Sequence, residues 1–378
     1  PRDGASSSAL SRSSTVSSSG AALLIYGANG YTGRLIVARA VARGLRPVLS
    51  GRSAPEIDAL AVEHRLESRP ASLDDPHALD QALAGCGVVI HAAGPFSRTS
   101  APMVDACIRN RVHYLDITGE ITVFETLASK ARSAQAKDAG VMLLPGSGFD
   151  VVPSDCLASH LHRRLPSATW LTLAFSGGTG LSRGTATTMV ENIRRGGAVR
   201  RDGRIILVPA AWKQRDVDFG DRVRHVVTLP WGDVSTAFHS TGIPNIEVYT
   251  AAPASAVRGM ILSRYIGWLL ATQPAQSFLK NRIRAGAPGP SDRQRAGASA
   301  RLWGEAWDDE GHSVQSRLRT PDGYTLTALT AVATAEKVLS GNAKPGFQTP
   351  SLAFGADFIL EIAGAERQDV AASSRVSP

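Results

Sequence analysis

The chain has 378 residues, 43% of them hydrophobic and 20% charged, with a formal net charge of +8; that is enough for two domains and a sizeable core, and it excludes a fibrous or wholly disordered chain. The basic excess is scattered and mostly Arg, with no aromatic interleaving and no zinc-finger or RNP-type spacing, so no nucleic-acid partner is expected. Cys86, Cys107 and Cys156 are too few and too far apart for a disulfide framework or a metal knuckle, which points to a reducing, cytoplasmic setting and no metal.

Residues 1–20 are Ser-rich, carry Arg2, Arg12 and one acid, Asp3, and lack the apolar core of a secretory signal; they read as a disordered tail. At 21–26 an apolar run predicts a strand, and Gly27, Gly30 and Gly33 follow it. TGRLIVARAVARG then has helical spacing and closes at Gly44. Glycines in such a strand–turn–helix let the backbone approach a pyrophosphate, and the helix N-terminus offers free N–H groups to it. Gly27, Asn29, Gly30, Tyr31, Thr32 and Gly33 are the first candidate cofactor residues. The next strand, 46–50, ends in Gly51-Arg52-Ser53. NAD sites usually carry Asp or Glu here, for the ribose hydroxyls. A guanidinium and a hydroxyl suit a 2′-phosphate instead, so Arg52 and Ser53 predict NADPH.

Residues 55–67 predict a helix, and Asp75-Pro76 predicts an N-cap and first turn for another at 76–84. Strands at 87–93, 113–117 and 141–144 alternate with helices at 101–110 and 122–139. That alternation is the pattern of an α/β, Rossmann-type, doubly wound parallel sheet. Ligands bind at the carboxyl ends of such strands. Ala93, Gly94 and Pro95 would line the nicotinamide ribose, with Gly119 nearby. Asp116, Thr118 and Glu120 would be the polar groups nearest the reacting face.

After residue 150 the rhythm changes to a second, α+β domain, with strands expected at 169–176, 205–209, 224–229 and 246–250. An apolar stretch at 265–278, broken by Gln273 and Pro274 and preceded by Arg258 and Arg264, reads as a core or lid helix. Peripheral membrane contact is its lesser alternative. Residues 286–294 read as a linker, 300–306 and 313–318 as a hairpin carrying Trp303 and Trp307, 325–340 as an apolar helix, and 365–378 as a loose polar tail. The expected division is a tail at 1–20, an NADP-binding domain at 21–155, a substrate or dimerisation domain at 156–345, and a segment at 346–378 returning to the first domain.

Reduction needs a group that protonates or polarises the acceptor. None of the six tyrosines has Lys four residues later, which disfavours the short-chain dehydrogenase mechanism. Asp116 is a candidate proton-transfer group, the alternative being a bond to the 118–120 loop. Asp155 falls in the first turn of a helix, where the helix dipole accounts for it. Cys156 lacks a local His partner and reads as packed core. His160 and His162 are two apart and share no helix face. Arg183 and Thr185 precede the helical MVENIRR and are candidate substrate contacts at a helix start. Asp116, Arg183 and Thr185 form the candidate catalytic set.

IYGANGYTGRLIV, SGRS, VVIHAAGPFSRTSAPMVDAC, VHYLDITGE and LLPGSGFDVVPSD together resemble the saccharopine dehydrogenase-like NADP-binding family across nearly all of the first domain. RTPDGYTLTALTAVATAEKVL and KPGFQTPSLAFGADFILEI resemble its shorter bacterial branch, which includes trans-acting enoyl reductases. Where the family often has Asp after the third strand, this chain has Ser72. The resemblance implies the fold, NADPH and hydride transfer to a small-molecule or carrier-bound substrate. A conjugated C=C is the leading acceptor, with an imine C=N or a non-catalytic NADP-binding scaffold as alternatives. A homodimer is also expected.

Overall fold

The computed structural model describes residues 22–178, 180–191, 196–270 and 272–370, so the expected tail at 1–20 and the last residues of the polar tail lie outside the described residues. The first domain alternates strand and helix. Its strands are β1 (Ala22–Tyr26), β2 (Val48–Ser50), β3 (Cys86–His91), β4 (His113–Asp116) and β5 (Met142–Leu144). Its helices are α1 (Tyr31–Ala42), α2 (Ala54–His64), α3 (Pro76–Leu83), α4 (Phe96–Asn110), α5 (Ile121–Ala128) and α6 (Lys130–Asp138).

The second domain begins with α7 (Val152–Arg164) and β6 (Trp170–Ser176), followed by α8 (Arg183–Glu191). Four strands come next: β7 (Gly197–Arg201), β8 (Arg204–Val208), β9 (Gln214–Asp218) and β10 (Val223–Thr228). Then come α9 (Asp233–Thr241), β11 (Asn245–Ala251), α10 (Ala254–Leu270), α11 (Gln273–Ala285) and α12 (Asp292–Ala296). A hairpin of β12 (Ser299–Trp307) and β13 (Ser313–Pro321) leads into α13 (Gly323–Leu339). The chain closes with β14 (Gly346–Phe347), α14 (Pro350–Phe354) and β15 (Glu366–Val370).

The first sheet has the order β14-β5-β4-β3-β1-β2, and every pairing in it is parallel. Strand order reverses between β1 and β3, which opens the ligand crevice beyond their carboxyl ends. One face is covered by α1, α2 and α13, through Ile36, Val37, Ile57, Leu60, Ala331 and Val332 against Leu23, Ile25, Val88 and Ile90. The other is covered by α3 to α6, through Leu79, Met103, Val104, Val123 and Leu127. The second sheet runs β15-β13-β12-β6-β11-β10-β9, with β7 on β11 and β8 on β7; within it β6 and β11 are parallel. Helices α7 and α9 pack on it through Leu157, Leu161 and Val234.

Four expectations change. The helix at 122–139 is two helices, because Ser129 is extended and its hydroxyl accepts from Arg132 N and donates to Thr126 O at 2.8 Å. Helix α13 is apolar all round because it lies in both cores: Ala328, Ala331 and Val332 pack on the parallel sheet, and Leu326 on the second domain. The return to the first domain therefore starts at α13, before residue 346. The loose tail expected from 365 contains β15, paired antiparallel to β13. The stretch at 265–278 spans two helices outside the core: α10 buries only Val257 and Gly267, and α11 buries none of its residues.

Candidate active site and its cofactor cradle

The glycine turn is built by contacts that no side chain could share. Gly27 adopts φ +78°, and a Cβ there would stand 2.9 Å from Ala93 Cβ, so the loops after β1 and β3 touch across the crevice. At Gly33 a Cβ would fall 2.2 Å from Gly27 O. Helix α1 has no side-chain cap and no acid in its first turn. Its first N–H groups and positive dipole end therefore face the crevice. Helix α4 differs. Glu120, from the loop after β4, accepts from Phe96 N at 2.7 Å and Ser97 N at 3.2 Å, so its carboxylate closes that N-terminus. The open anion site is the one on α1.

Beside it, Arg52 is exposed and pairs with no described residue, and Ser53 starts α2 without a side-chain cap bond. The nearest acid on that helix, Glu56, accepts a hydrogen bond from the Asn29 amide at 2.5 Å. Thr99 Oγ1 donates to Ala93 O at 2.7 Å and fixes the loop that leads to Gly94 and Pro95. Beneath it, His91 is fully buried and contacts Ala93 O through Nε2 at 3.0 Å; burial lowers its pKa to about 4. A cradle that only glycine fits, free helix N–H groups and an unpaired guanidinium together suit a dinucleotide with a 2′-phosphate.

At the other end of the crevice, Asp150 follows β5. Its Oδ2 would be 2.9 Å from a Cβ on Gly119, so the carboxyl lies flat against the loop after β4. Its backbone carbonyl accepts from Trp231 Nε1 at 2.7 Å. No described residue hydrogen-bonds the carboxyl, and burial pushes its pKa up to about 7. Behind it, at the start of α9, Asp233 is buried, and burial with Asp155 and Asp150 nearby raises it well above the carboxylate range. An aromatic cluster adjoins this residue through Phe149 and Trp231. Phe149 lies edge-on to Phe175 at 6.1 Å between ring centroids, and Phe175 lies 5.4 Å from Trp231.

Comparison with known proteins decides the first domain. The model of the saccharopine dehydrogenase NADP-binding domain matches residues 23–144. Residues 23–144 are thus similar to a saccharopine dehydrogenase NADP-binding domain. A trans-acting enoyl reductase of Mycobacterium ulcerans is 32% identical over 151 residues, which cover 38% of this chain and 35% of that protein. One from Mycobacterium tuberculosis is 31% identical over 149 residues, with the same coverage of 38% and 35%. The chain thus spans about a third of the length of the curated relatives it matches. Saccharopine dehydrogenase (L-Glu forming) of Saccharomyces cerevisiae superposes with a TM-score of 0.62 at 14% identity, over 93% of this chain and 100% of that one, so the two share a fold.

The NADP-binding domain brings Gly27, Gly30, Thr32, Gly33, Arg52, Ser53, Ala93, Gly94, Pro95 and Gly119 to the carboxyl ends of its parallel strands, where the glycine pattern predicts them. Tyr31 contributes its place in the first turn of α1, but its side chain is taken up elsewhere. Its hydroxyl donates to Pro290 O at 2.5 Å and accepts from Arg295 at 2.8 Å, and Gly289 lies on its ring. Tyr31 therefore anchors the 286–290 segment of the second domain.

The candidate catalytic set is displaced. Asp116 is fully buried. Its carboxylate accepts from Tyr114 Oη at 2.7 Å, Thr118 N at 2.9 Å and Gly146 N at 2.8 Å. Burial raises its pKa to about 6 against those bonds. With its oxygens occupied it ties the loops after β4 and β5 together. Arg183 donates to Gly286 O through Nε at 3.1 Å and Nη2 at 2.5 Å. Thr185 joins Ser182 and Tyr324, whose hydroxyl accepts from Ser182 N at 2.5 Å. Both residues hold the second domain over α1, where Tyr324 meets Tyr31 edge-on at 5.1 Å. Cys156 is buried and inert, its pKa pushed up by burial.

Asp150 is a candidate site residue absent from the set expected from sequence. Its signal is its place, six residues after β5, at a strand carboxyl end. Trp231 and Tyr324 carry no local signal, because each arrives from a distant part of the chain.

Proposed function

We propose that the protein is an NADPH-dependent enoyl reductase acting on an apolar acyl thioester, with Asp150 as its proton donor. The observation that carries this reading is that Asp150, whose carboxyl no described residue hydrogen-bonds, sits beside the aromatic cluster of Phe149, Phe175 and Trp231. The names of the mycobacterial relatives support it. An imine made from an amino acid and an aldehyde carries carboxylates that need cations, and the cation expected there, Arg183, is committed to Gly286 O.

NADPH, held by the glycine turn, the α1 N-terminus and Arg52, supplies a hydride when bound. Phe149, Phe175 and Trp231 hold the acyl chain and exclude water, which keeps Asp150 protonated near neutral pH. Asp150 then gives its proton to the enolate side of the acceptor. The polyketide or lipid identity of the acyl group and its carrier belong to this proposal.

The test is NADPH consumption across enoyl thioesters of increasing chain length and across amine–aldehyde mixtures. Turnover of the enoyl panel, with deuterium from labelled NADPH placed on the β-carbon, is expected. Turnover of the imine panel alone replaces the reading, and NADPH binding without turnover of either panel makes the protein a scaffold.

A further inference from the structure

Helices α10 and α11 form a pair at the side of the second domain. Their outer surface is unusually apolar: Leu262 is 55% exposed, Tyr265 71%, Trp268 66% and Phe278 68%. On α10, Leu262, Tyr265 and Leu269 recur at helical spacing and form one stripe, with Trp268 beside it. A contiguous apolar patch of this kind marks a docking surface.

The charge around it is one-sided. Between Glu247 and Asp292 the chain has no acidic residue, yet it holds Arg258, Arg264, Lys280, Arg282 and Arg284. A second copy of this chain, docked by two-fold symmetry, would set these cations against themselves. An acidic carrier protein would answer the charge but not the exposed rings of Tyr265, Trp268 and Phe278. An anionic bilayer answers both, because Trp and Tyr settle at the headgroup level while Arg and Lys meet lipid phosphates.

We infer that the α10–α11 pair docks this protein on an anionic phospholipid surface. The contact is peripheral, since among the described residues no helix is long and apolar enough to cross a membrane. It also lies beside the cleft. Gln276 of α11 donates to Val190 O of α8 at 2.9 Å, and α8 begins at the Ser182–Tyr324 contact that closes over α1. Docking thus sets the cleft mouth near lipid, whatever reaction the cleft performs.

The test is flotation of the full chain with vesicles of phosphatidylcholine alone or mixed with phosphatidylglycerol. Binding to the mixed vesicles, weakened by salt, is expected. The double variants Tyr265→Ser/Trp268→Ser and Arg282→Glu/Arg284→Glu should each weaken it by about tenfold or more. Because these side chains are exposed, both variants should keep the Tm and the NADPH affinity of the parent. Three results overturn the inference: no binding to the mixed vesicles, binding indifferent to both variants, or a patch covered by something else. The last would be a dimer that Tyr265→Ser/Trp268→Ser dissociates, or capture of an acidic carrier protein in place of vesicles.

Discussion

Replacing Asp150 by Asn separates the cost of the proposed proton donor from its use. Burial lifts this carboxyl from its ordinary 3.8 to about 7, so the folded chain binds its proton more tightly than the unfolded chain does. The associated stability is fully present below pH 4, is lost as pH rises toward 7, and stays lost above it. At about 1.4 kcal/mol per pH unit the full effect is ~4 kcal/mol. The residue is half-buried, which reduces this to ~2 kcal/mol. Asn keeps the shape of the neutral acid and cannot ionise. Asp150→Asn should therefore match the parent near pH 4 and exceed it at pH 8 by about 4 °C in Tm. Its kcat on an enoyl thioester should fall by about 10²- to 10⁴-fold. The parent's kcat should decline above pH 7, where the donor ionises, and the variant's residual rate should lose that decline. Calorimetry at the two pH values and a pH–rate profile read both effects. Equal Tm differences at pH 4 and pH 8, or a variant that keeps the parent's alkaline limb, would refute the assignment.

Arg52→Ala removes the unpaired guanidinium beside α2, and it should raise KM for NADPH by about 10- to 100-fold while leaving that for NADH nearly unchanged; steady-state kinetics with both cofactors checks this. Gly33→Ala drives a Cβ against Gly27 O, so NADPH titration should find no binding, with a stability loss of about 1–3 kcal/mol in urea. Across the domain boundary, Arg200 is buried and bonds Glu125 at 2.7 Å, Val234 O at 2.8 Å and Gly203 O at 2.7 Å. Arg200→Ala should cost about 2–3 kcal/mol in equilibrium unfolding, below the range for a fully buried pair because Glu125 is 40% exposed. Burial raises the Glu125 pKa, but His239, Ser235 and Arg200 outweigh it and bring the value to about 2; the stability this carboxylate adds is present above pH 4.5 and lost as pH falls toward 2.

Helix starts illustrate how far local reading reaches. Pro76 after Asp75 marks the start of α3, and the Asp75 side chain caps Ala78 N at 3.0 Å as that pattern requires. Pro102 suggests a start for α4 near 101, yet the helix begins at Phe96. The difference is Glu120, which is 24 residues from Phe96 in the chain and satisfies its N–H. A cap within one turn is visible in sequence, and a cap from the next loop is not. The same limit hid the burial of Asp150. A carboxylate at a strand end is easy to list, but its pKa depends on Gly119 and on Trp231, which fold against it from elsewhere.

The sequence by itself determined the alternating sheet, the glycine turn on α1 and the choice of Arg52 over a carboxylate. These rest on periodicity, on steric freedom at single glycines and on one side chain's charge, all set within a few residues. The tertiary structure alone decided that α13 completes the first domain, that Asp116 is a tie between loops, and that the Asp150 carboxyl lies against the loop after β4 with no described hydrogen-bond partner. It also decided that Tyr265, Trp268 and Phe278 point outward. Burial and hydrogen-bond satisfaction are shared among residues distant in the chain, so an identical carboxylate becomes a strut or an acid according to what packs around it.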